Sequence, residues 1–501
     1  MTEAKEFNSS EIAAELPEKP EKRFSVTERI FAFISLMLGF AFVRYTVFSV
    51  TGFVTTALYI VIITAAIFFI RKSGKRLNGL NRLLVAVLYL FSTVFSITDN
   101  RLIKILDVAF LFVIGTYFVY SASGEKKRIS RFLPFEMADA AVFCPLSDFG
   151  SELHAVKSAG SDNRLAGTVK MILVGLAAAV PLTAVVGALL ISADDGIEKL
   201  FNNIFNAISG IDLWGIFWQA LIAIPCACYL FGMLYSNAHR DGADSFDELV
   251  YEEKLNNARR IRNVILYTMV TPICLLYILF FISQANYFLS AFSGRLPQGL
   301  LYSEYARTGF FELVAIAAIN LAVIIIMNVT AEKGGTSKPA GLRFYSIVLC
   351  VFTIIMTAVA VSKMTMYVSV YGLTRLRFYT TWFMFLMLAF FVMIIIKQFR
   401  FDFRIAKWGT AVFTFMFALL CFCRPDALIA KYNIFMYSSG HLEELDIDAL
   451  TEMSDDAVYE LLKTDYADRE EILTSRYARH KPGENQNLSS VLVGYELERT
   501  Q

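Results

Sequence analysis

The chain has 501 residues, 56% of them hydrophobic and 18% charged, with a mean hydropathy of +0.54. A wholly soluble protein is excluded, because apolar runs of about 17 to 25 residues, long enough to cross a bilayer, recur along most of the sequence. The net charge of +1 excludes a globally basic nucleic-acid binder and a long acidic tail, so charge informs only through its position.

Residues 1–28 mix acids such as Glu3, Glu6 and Glu11 with Lys5, Lys19, Lys22 and Arg23, and carry too little apolar surface to offset ordering entropy. They read as a disordered cytoplasmic tail. No signal-peptide core or cleavage site follows, so the first span is expected to act as an uncleaved anchor. Ser25 and Glu28 have capping-box spacing just ahead of the run from Ile30.

Eleven apolar runs bounded by charges then fall near 29–45, 50–70, 82–98, 102–121, 166–191, 213–235, 262–286, 309–328, 342–362, 378–397 and 405–423. They predict an all-α, polytopic transmembrane helical bundle over 29–423. Between the first two runs, only Arg44 and Tyr45-Thr46 suggest a turn. Short cytoplasmic loops carry excess Lys and Arg. With the N-terminus inside, the segments holding Arg71, Lys72, Lys75, Arg76 and Arg82, then Lys126–Arg131, Arg259–Arg262, Lys333–Arg343 and Lys397–Lys407 all obey this rule. The loop with Lys363, Arg375 and Arg377 is the weak point of the alternation. An odd span count places the C-terminus outside.

The stretches 122–165 and 287–308 mix short apolar patches, such as Phe132-Leu133-Pro134-Phe135 and Val142-Phe143-Cys144-Pro145-Leu146, with charge, and read as interfacial. Pro181, Pro225 and Pro272 each interrupt a span, which predicts kinks. Cys226-Ala-Cys228 and Cys421-Phe-Cys423 lack a second ligand pair at a workable spacing, so they read as packing cysteines. No metal or cofactor set is expected. From 424 to 501 acids outnumber bases, and a small helical extracytoplasmic domain is expected. Ser454 with Asp455 and Asp456 has N-cap chemistry, Val458, Leu461 and Leu462 mark one buried helix face, and Asp468 opens a second helix reaching Arg476, Arg479 and His480. Asn487-Leu488-Ser489 matches a glycosylation sequon. Glu443, Glu444, Asp446 and Asp448 form a solvated acidic face or a divalent-cation site, without EF-hand spacing.

Charge inside or at the ends of spans is costly and raises a functional hypothesis. The candidates for one polar cavity opening outward are Asp99, Arg101, Lys104, Asp107, Glu304, Arg307, Glu312, Lys363, Arg375 and Arg377. Lys104 and Asp107 lie on one helix face at i, i+3 spacing. In the functional reading, Lys104, Lys363, Arg375 and Arg377 attract phosphate or carboxylate, with Asp107 and Glu312 as partners or proton carriers. In the other reading these residues are interhelical ion pairs and snorkelling ends that fix packing.

Several word-like stretches carry a resemblance: Tyr302–Leu313, Tyr371-Gly372-Leu373-Thr374-Arg375-Leu376-Arg377, Lys431-Tyr432-Asn433, Leu445–Leu450 and Ser454-Asp455-Asp456-Ala457. Together they resemble a bacterial family of integral membrane proteins known as domain of unknown function 4173, close to 4153. The resemblance implies a multi-pass protein of the bacterial plasma membrane and transfers no activity. Two functions stand side by side. One is transport or handling of an anionic or amphiphilic envelope-related substrate through the charged cavity. The other is a non-enzymatic sensor or scaffold whose outer domain binds a ligand or partner. An intramembrane enzyme ranks last, since no nucleophile elbow, phosphate loop or metal motif is present, and only paired carboxylates such as Asp107 and Glu312 offer chemistry. The expected partners are the lipid bilayer, an anionic small molecule or lipid, and a membrane or envelope protein.

Overall fold

A computed structural model describes residues 24–49, 52–161, 213–239, 248–292, 310–332, 339–400, 402–472 and 486–499. Among them all regular structure is helical, apart from one isolated bridge between Ile261 and Ala331. In chain order the helices are α1 (Val26–Phe42), α2 (Phe53–Lys72), α3 (Gly79–Ser92), α4 (Val94–Ile97), α5 (Arg101–Ser123), α6 (Leu133–Ala138), α7 (Cys144–Ser147), α8 (Ser151–Ser161) and α9 (Leu213–Ala238). They continue as α10 (Glu248–Ala258), α11 (Asn263–Phe292), α12 (Phe310–Thr330), α13 (Ala340–Tyr371), α14 (Arg375–Phe399) and α15 (Ile405–Phe422). The last part holds α16 (Pro425–Ser438), α17 (Ile447–Glu452), α18 (Asp455–Leu462), α19 (Arg469–Ile472) and α20 (Leu488–Glu498).

Ten helical stretches among the described residues are long and apolar enough to cross a membrane: α1 with its extension, α2, α3 with α4, α5, α9 and α11 to α15. The protein is a multi-pass helical membrane protein. The expected run at 166–191, with Pro181, lies outside the described residues. Pro225 and Pro272 sit inside α9 and α11.

Ser25 starts α1 with the anticipated capping box: its hydroxyl accepts from the Glu28 N–H at 3.3 Å, and its own N–H donates to the Glu28 carboxylate at 2.7 Å. The turn expected at Arg44-Tyr45-Thr46 is not there. The helix runs on as a π-helical segment, Val43–Phe48, and breaks only after it. The widened turn leaves carbonyls for side chains: Ser49 Oγ donates to Arg44 O at 2.9 Å and Thr55 Oγ1 to Tyr45 O at 2.8 Å.

The spans enclose two apolar cores. The first gathers α1 to α9 and α15 around Phe69, Phe91, Phe95, Tyr117, Phe118 and Phe231. Phe91 stacks on Phe417 with ring centroids 5.6 Å apart. α1 and α9 touch closely because Gly39 has no side chain; a Cβ there would meet Ala227 Cβ and Ala223 O at 2.9 Å. The second core joins α11 to α14 around Leu349, Met327 and Met384. A polar ladder crosses it: Tyr277 OH donates to Asn320 Oδ1 at 2.8 Å and Asn320 Nδ2 to Thr353 Oγ1 at 2.9 Å. α14 ties the two together, with the Trp382 indole N–H donating to Met416 O of α15 at 2.9 Å.

The short helices α6 to α8, with the π-helical segment Asp139–Phe143 between α6 and α7, pack back on the first core through Leu133, Ala140, Cys144 and Ala155, while Phe135, Phe143, Leu146 and Leu153 remain exposed. A third core lies in a C-terminal module of α16 to α20. Ile429, Leu450, Val458, Leu461, Leu462 and Val493 fill it, with Leu373 of the α13–α14 turn and Phe378 of α14 packed against it.

Candidate functional site

The site is the junction where this module meets the spans, and its geometry begins with two chain reversals. After α15 the chain turns at Arg424, a non-glycine residue in the left-handed region with φ 51°. Pro425 then occupies the first turn of α16, where its missing N–H costs nothing, and it disfavours helix at the residue before it. The turn sends the Arg424 guanidinium back under the module. Between α13 and α14, Gly372 takes φ 73°, and the next residue is clamped: Leu373 N–H donates to Asn433 Oδ1 at 2.7 Å while Asn433 Nδ2 donates to Leu373 O at 2.8 Å. A Cβ on Gly372 would stand 2.8 Å from Asn433 Oδ1, so both the positive φ and the close approach require glycine.

Two fully buried carboxylates organise the junction. Asp426 receives Arg375 in a two-pronged contact, Nε to Oδ1 at 3.0 Å and Nη2 to Oδ2 at 2.6 Å. It also accepts from Ser454 N–H at 3.2 Å and Ser454 Oγ at 2.6 Å. Asp456 accepts Arg424 Nε at 2.8 Å, Asp99 N–H at 3.2 Å and the hydroxyl of Thr98, and it touches Ser489 Oγ. Ser489 in turn accepts from Arg424 Nη2 at 2.9 Å and lies 3.0 Å from Ile97 O. Residues from α4, the α4–α5 turn, α14, the α15–α16 turn and the module thus meet within one hydrogen-bonded set.

The expected N-cap at Ser454 is in position, but its hydroxyl does not cap α18; its one proton goes to Asp426 instead. The sequon is closed to glycosylation. Asn487 is fully buried, caps α20 with Ser490, and donates Nδ2 to Asp99 Oδ1 at 2.9 Å. A helix at 469–472 falls where the second module helix is expected to start; Arg476, Arg479 and His480 lie outside the described residues.

Of the ten candidate residues, three enter this set. Asp99 accepts Lys104 Nζ at 3.3 Å as well as Asn487, and Arg375 binds Asp426. Arg377 lies beside it, stacked 3.9 Å over the Tyr367 ring and donating to the carbonyls of Tyr371 and Gly372. Asp107 is one turn further into the bundle than Lys104, fully buried, and neither of its oxygens has a hydrogen-bond partner. Arg101 is exposed on the first turn of α5. Glu312 is exposed at the start of α12, and Lys363 is half-buried in α13; both belong to the helices of the second core. Glu304 and Arg307 lie outside the described residues.

Reading the sequence missed Arg424, Asp426, Thr98, Asn433 and Asn487 as members of the junction, and took Asp456 only for a helix-end acid. One signal was available: Arg424-Pro425-Asp426 breaks an apolar run with two opposite charges around a proline. Three of the stretches that carry the resemblance meet here, with Leu373 on Asn433, and Arg375 and Ser454 both on Asp426.

At the other end of α5, Glu136 is fully buried against Lys126 and lies 3.4 Å from Tyr117 OH. On α8, Glu152 is also fully buried and accepts Ser35 Oγ at 2.6 Å, while its Oε2 has no hydrogen-bond partner. Burial pushes the Glu152 carboxyl above its ordinary range, with hydrogen bonds from Ser35 and Cys228 pulling the other way.

The model of the family described as domain of unknown function 4153 matches residues 84–464. The chain belongs to that family. Of the two families that the sequence resembles, this is the one whose model matches, and the matched span includes α4, α5, α14 and most of the module's junction residues. No curated protein matches the chain. No solved structure matches it.

Proposed function

We propose that the protein is a non-enzymatic sensor or scaffold of the bacterial plasma membrane, with a cytoplasmic N-terminus and an extracytoplasmic C-terminal module that receives a ligand or a protein partner. One observation carries this reading. Among the cations that would attract an anionic substrate, Lys104 is engaged by Asp99, Arg375 by Asp426, and Arg377 by two backbone carbonyls. Their placement supports a fastening between module and spans. A ligand bound on the module would act through that fastening on α4, α5, α14 and α15. Orientation rests on the cation-rich segments assigned inside.

Transport or handling of an anionic or amphiphilic envelope-related substrate is the second reading, favoured by the unpartnered Asp107 within the bundle. Photo-cross-linking residues placed at the exposed module positions Phe435 and Tyr495 of the full-length protein in its native membrane separate the two. The sensor or scaffold reading expects a discrete adduct from these positions that is lost in Asp456→Asn. If the positions give no discrete adduct, while proteoliposomes take up an anionic substrate in a manner that Lys104→Met abolishes, the transport reading replaces it.

A further inference from the structure

Asp107 sits in the second turn of α5, a helix that crosses the membrane, and it is fully enclosed by protein. Both carboxyl oxygens are out of solvent and neither has a hydrogen-bond partner. A carboxyl group so placed meets its needs in one of two ways: it holds a proton, or it recruits a cation. Tyr59 of α2 and Cys421 of α15 are the titratable groups of packed helices that interact with it electrostatically. Neither carries a positive charge. The nearest cation in sequence is Lys104, one helical turn away on the same face and itself buried. Lys104 is engaged 3.3 Å from Asp99, and Asp99 in turn holds Asn487 of the module.

We propose that Asp107 is a proton-binding site, and that loss of its proton draws Lys104 from Asp99 to Asp107. With the proton bound, Lys104 stays with Asp99, and the contact Lys104–Asp99–Asn487 holds the start of α20 against the α4–α5 turn. When the proton leaves, Asp107 becomes the more enclosed anion within one helical turn of the ammonium group. Lys104 turns down by one helical turn, Asp99 is left with Asn487 and solvent, and the N-terminus of α20 loosens. The Arg375–Asp426 and Arg424–Asp456 contacts are untouched, so the module stays attached while one edge responds to proton binding. The proton site stands on the enclosure of Asp107 alone; the step that moves the module edge rests on reading the module as the responsive part of a sensor.

Full-length protein in nanodiscs, titrated with pH at fixed sodium, tests both steps. Infrared difference spectra are expected to show the carbonyl stretch of a protonated carboxylic acid that disappears as pH rises and is missing in Asp107→Asn. Amide hydrogen exchange over 487–499, corrected for the intrinsic rate, is expected to quicken about tenfold across the same pH range, equivalent to about 1.4 kcal/mol. Asp107→Asn, which cannot ionise, is expected to keep the slow rate throughout, whereas Lys104→Met, which lacks the contact to Asp99 at every pH, is expected to show the fast rate throughout. The band is read in the unmodified protein, so it does not depend on either variant folding. A band that is absent, that persists in Asp107→Asn, or that follows sodium instead of pH overturns the proton site. A pH-dependent band with exchange that is flat, or that quickens equally in both variants, overturns the Lys104 step. Neither result bears on the adduct at Phe435 and Tyr495, which tests the sensor reading by itself.

Discussion

Asp456 and Asp107 are both fully buried carboxyl groups in contact with the spans, yet they are provided for in opposite ways. Asp456 is surrounded by four donors from three pieces of chain, including the Arg424 guanidinium. Asp107 has none. Glu152 stands between them, with one oxygen bonded and the other bare. A saturated carboxylate is costly to remove and has little freedom to change state, which suits fastening. An unsaturated one adds little to the fold and remains open to a proton or cation, which suits response.

The comparison breaks first at Asp456. Replacing it with alanine leaves the Arg424 guanidinium without its carboxylate and the Thr98 hydroxyl and Asp99 N–H without this acceptor, a loss of about 3–5 kcal/mol for a buried pair broken on one side. Chemical unfolding of the purified protein in detergent measures it. Asp456→Asn keeps an acceptor oxygen for Arg424 and is expected to cost less. A loss under about 1 kcal/mol for the alanine variant means that the junction does not hold the module.

Gly372 comes next. Alanine there carries both the left-handed backbone and a Cβ 2.8 Å from Asn433 Oδ1. The expected loss is about 1–3 kcal/mol, the usual cost of a residue forced into a sparsely populated conformation. Asn433→Ala relieves the clash while losing the clamp, so the double variant is expected to cost less than the sum of the two singles. Additivity instead means that the clamp and the turn are independent.

Much of the fold was legible because the signals that specify it are local. Span length, the capping box at Ser25 and Glu28, and the apolar face of Val458, Leu461 and Leu462 each depend on residues a few positions apart. The turn near Arg44 was misread because a π-helical segment keeps polar residues in helix by giving their carbonyls side-chain partners, here Ser49 and Thr55. The candidate residues were legible only by type. Charge in a span marks Asp99, Lys104 and Arg375 as costly, but their partners Asn487 and Asp426 lie 388 and 51 positions away, a distance that no local pattern reports. Ser454 illustrates the limit: its N-cap position follows from the sequence, while the use of its hydroxyl is set by Asp426, brought there by the turn at Arg424.

Glu152 sharpens the middle of the comparison through pH. Its folded-state carboxyl is raised by burial, so between its ordinary range and that raised value the folded protein holds a proton that the unfolded chain has released. Stability therefore falls as pH rises through this window, and the penalty is absent below the ordinary glutamate range. Glu152→Gln keeps an oxygen to accept from Ser35 and cannot ionise. Its stability curve is expected to be flatter than the unmodified protein's over the same pH range, and higher above it. Parallel curves mean that the bare Oε2 is solvated or partnered when the group is charged.

The smallest effect is expected at Lys104. Methionine preserves much of its buried length and removes the charge, while Asp99, partly exposed, keeps Asn487 and gains solvent. Unpairing a buried ion usually costs several kcal/mol because the partner is stranded, but here the partner reaches water, so the change is expected to stay within about 1 kcal/mol. A double-mutant cycle with Asp99→Asn measures the pair directly, and a coupling under about 1 kcal/mol is the outcome consistent with an exchangeable contact. A coupling of about 3 kcal/mol or more would place Lys104 with Arg424 and Arg375 among the fixed members of the junction. Asp107 would then have no cation within one turn of its own helix free to answer it.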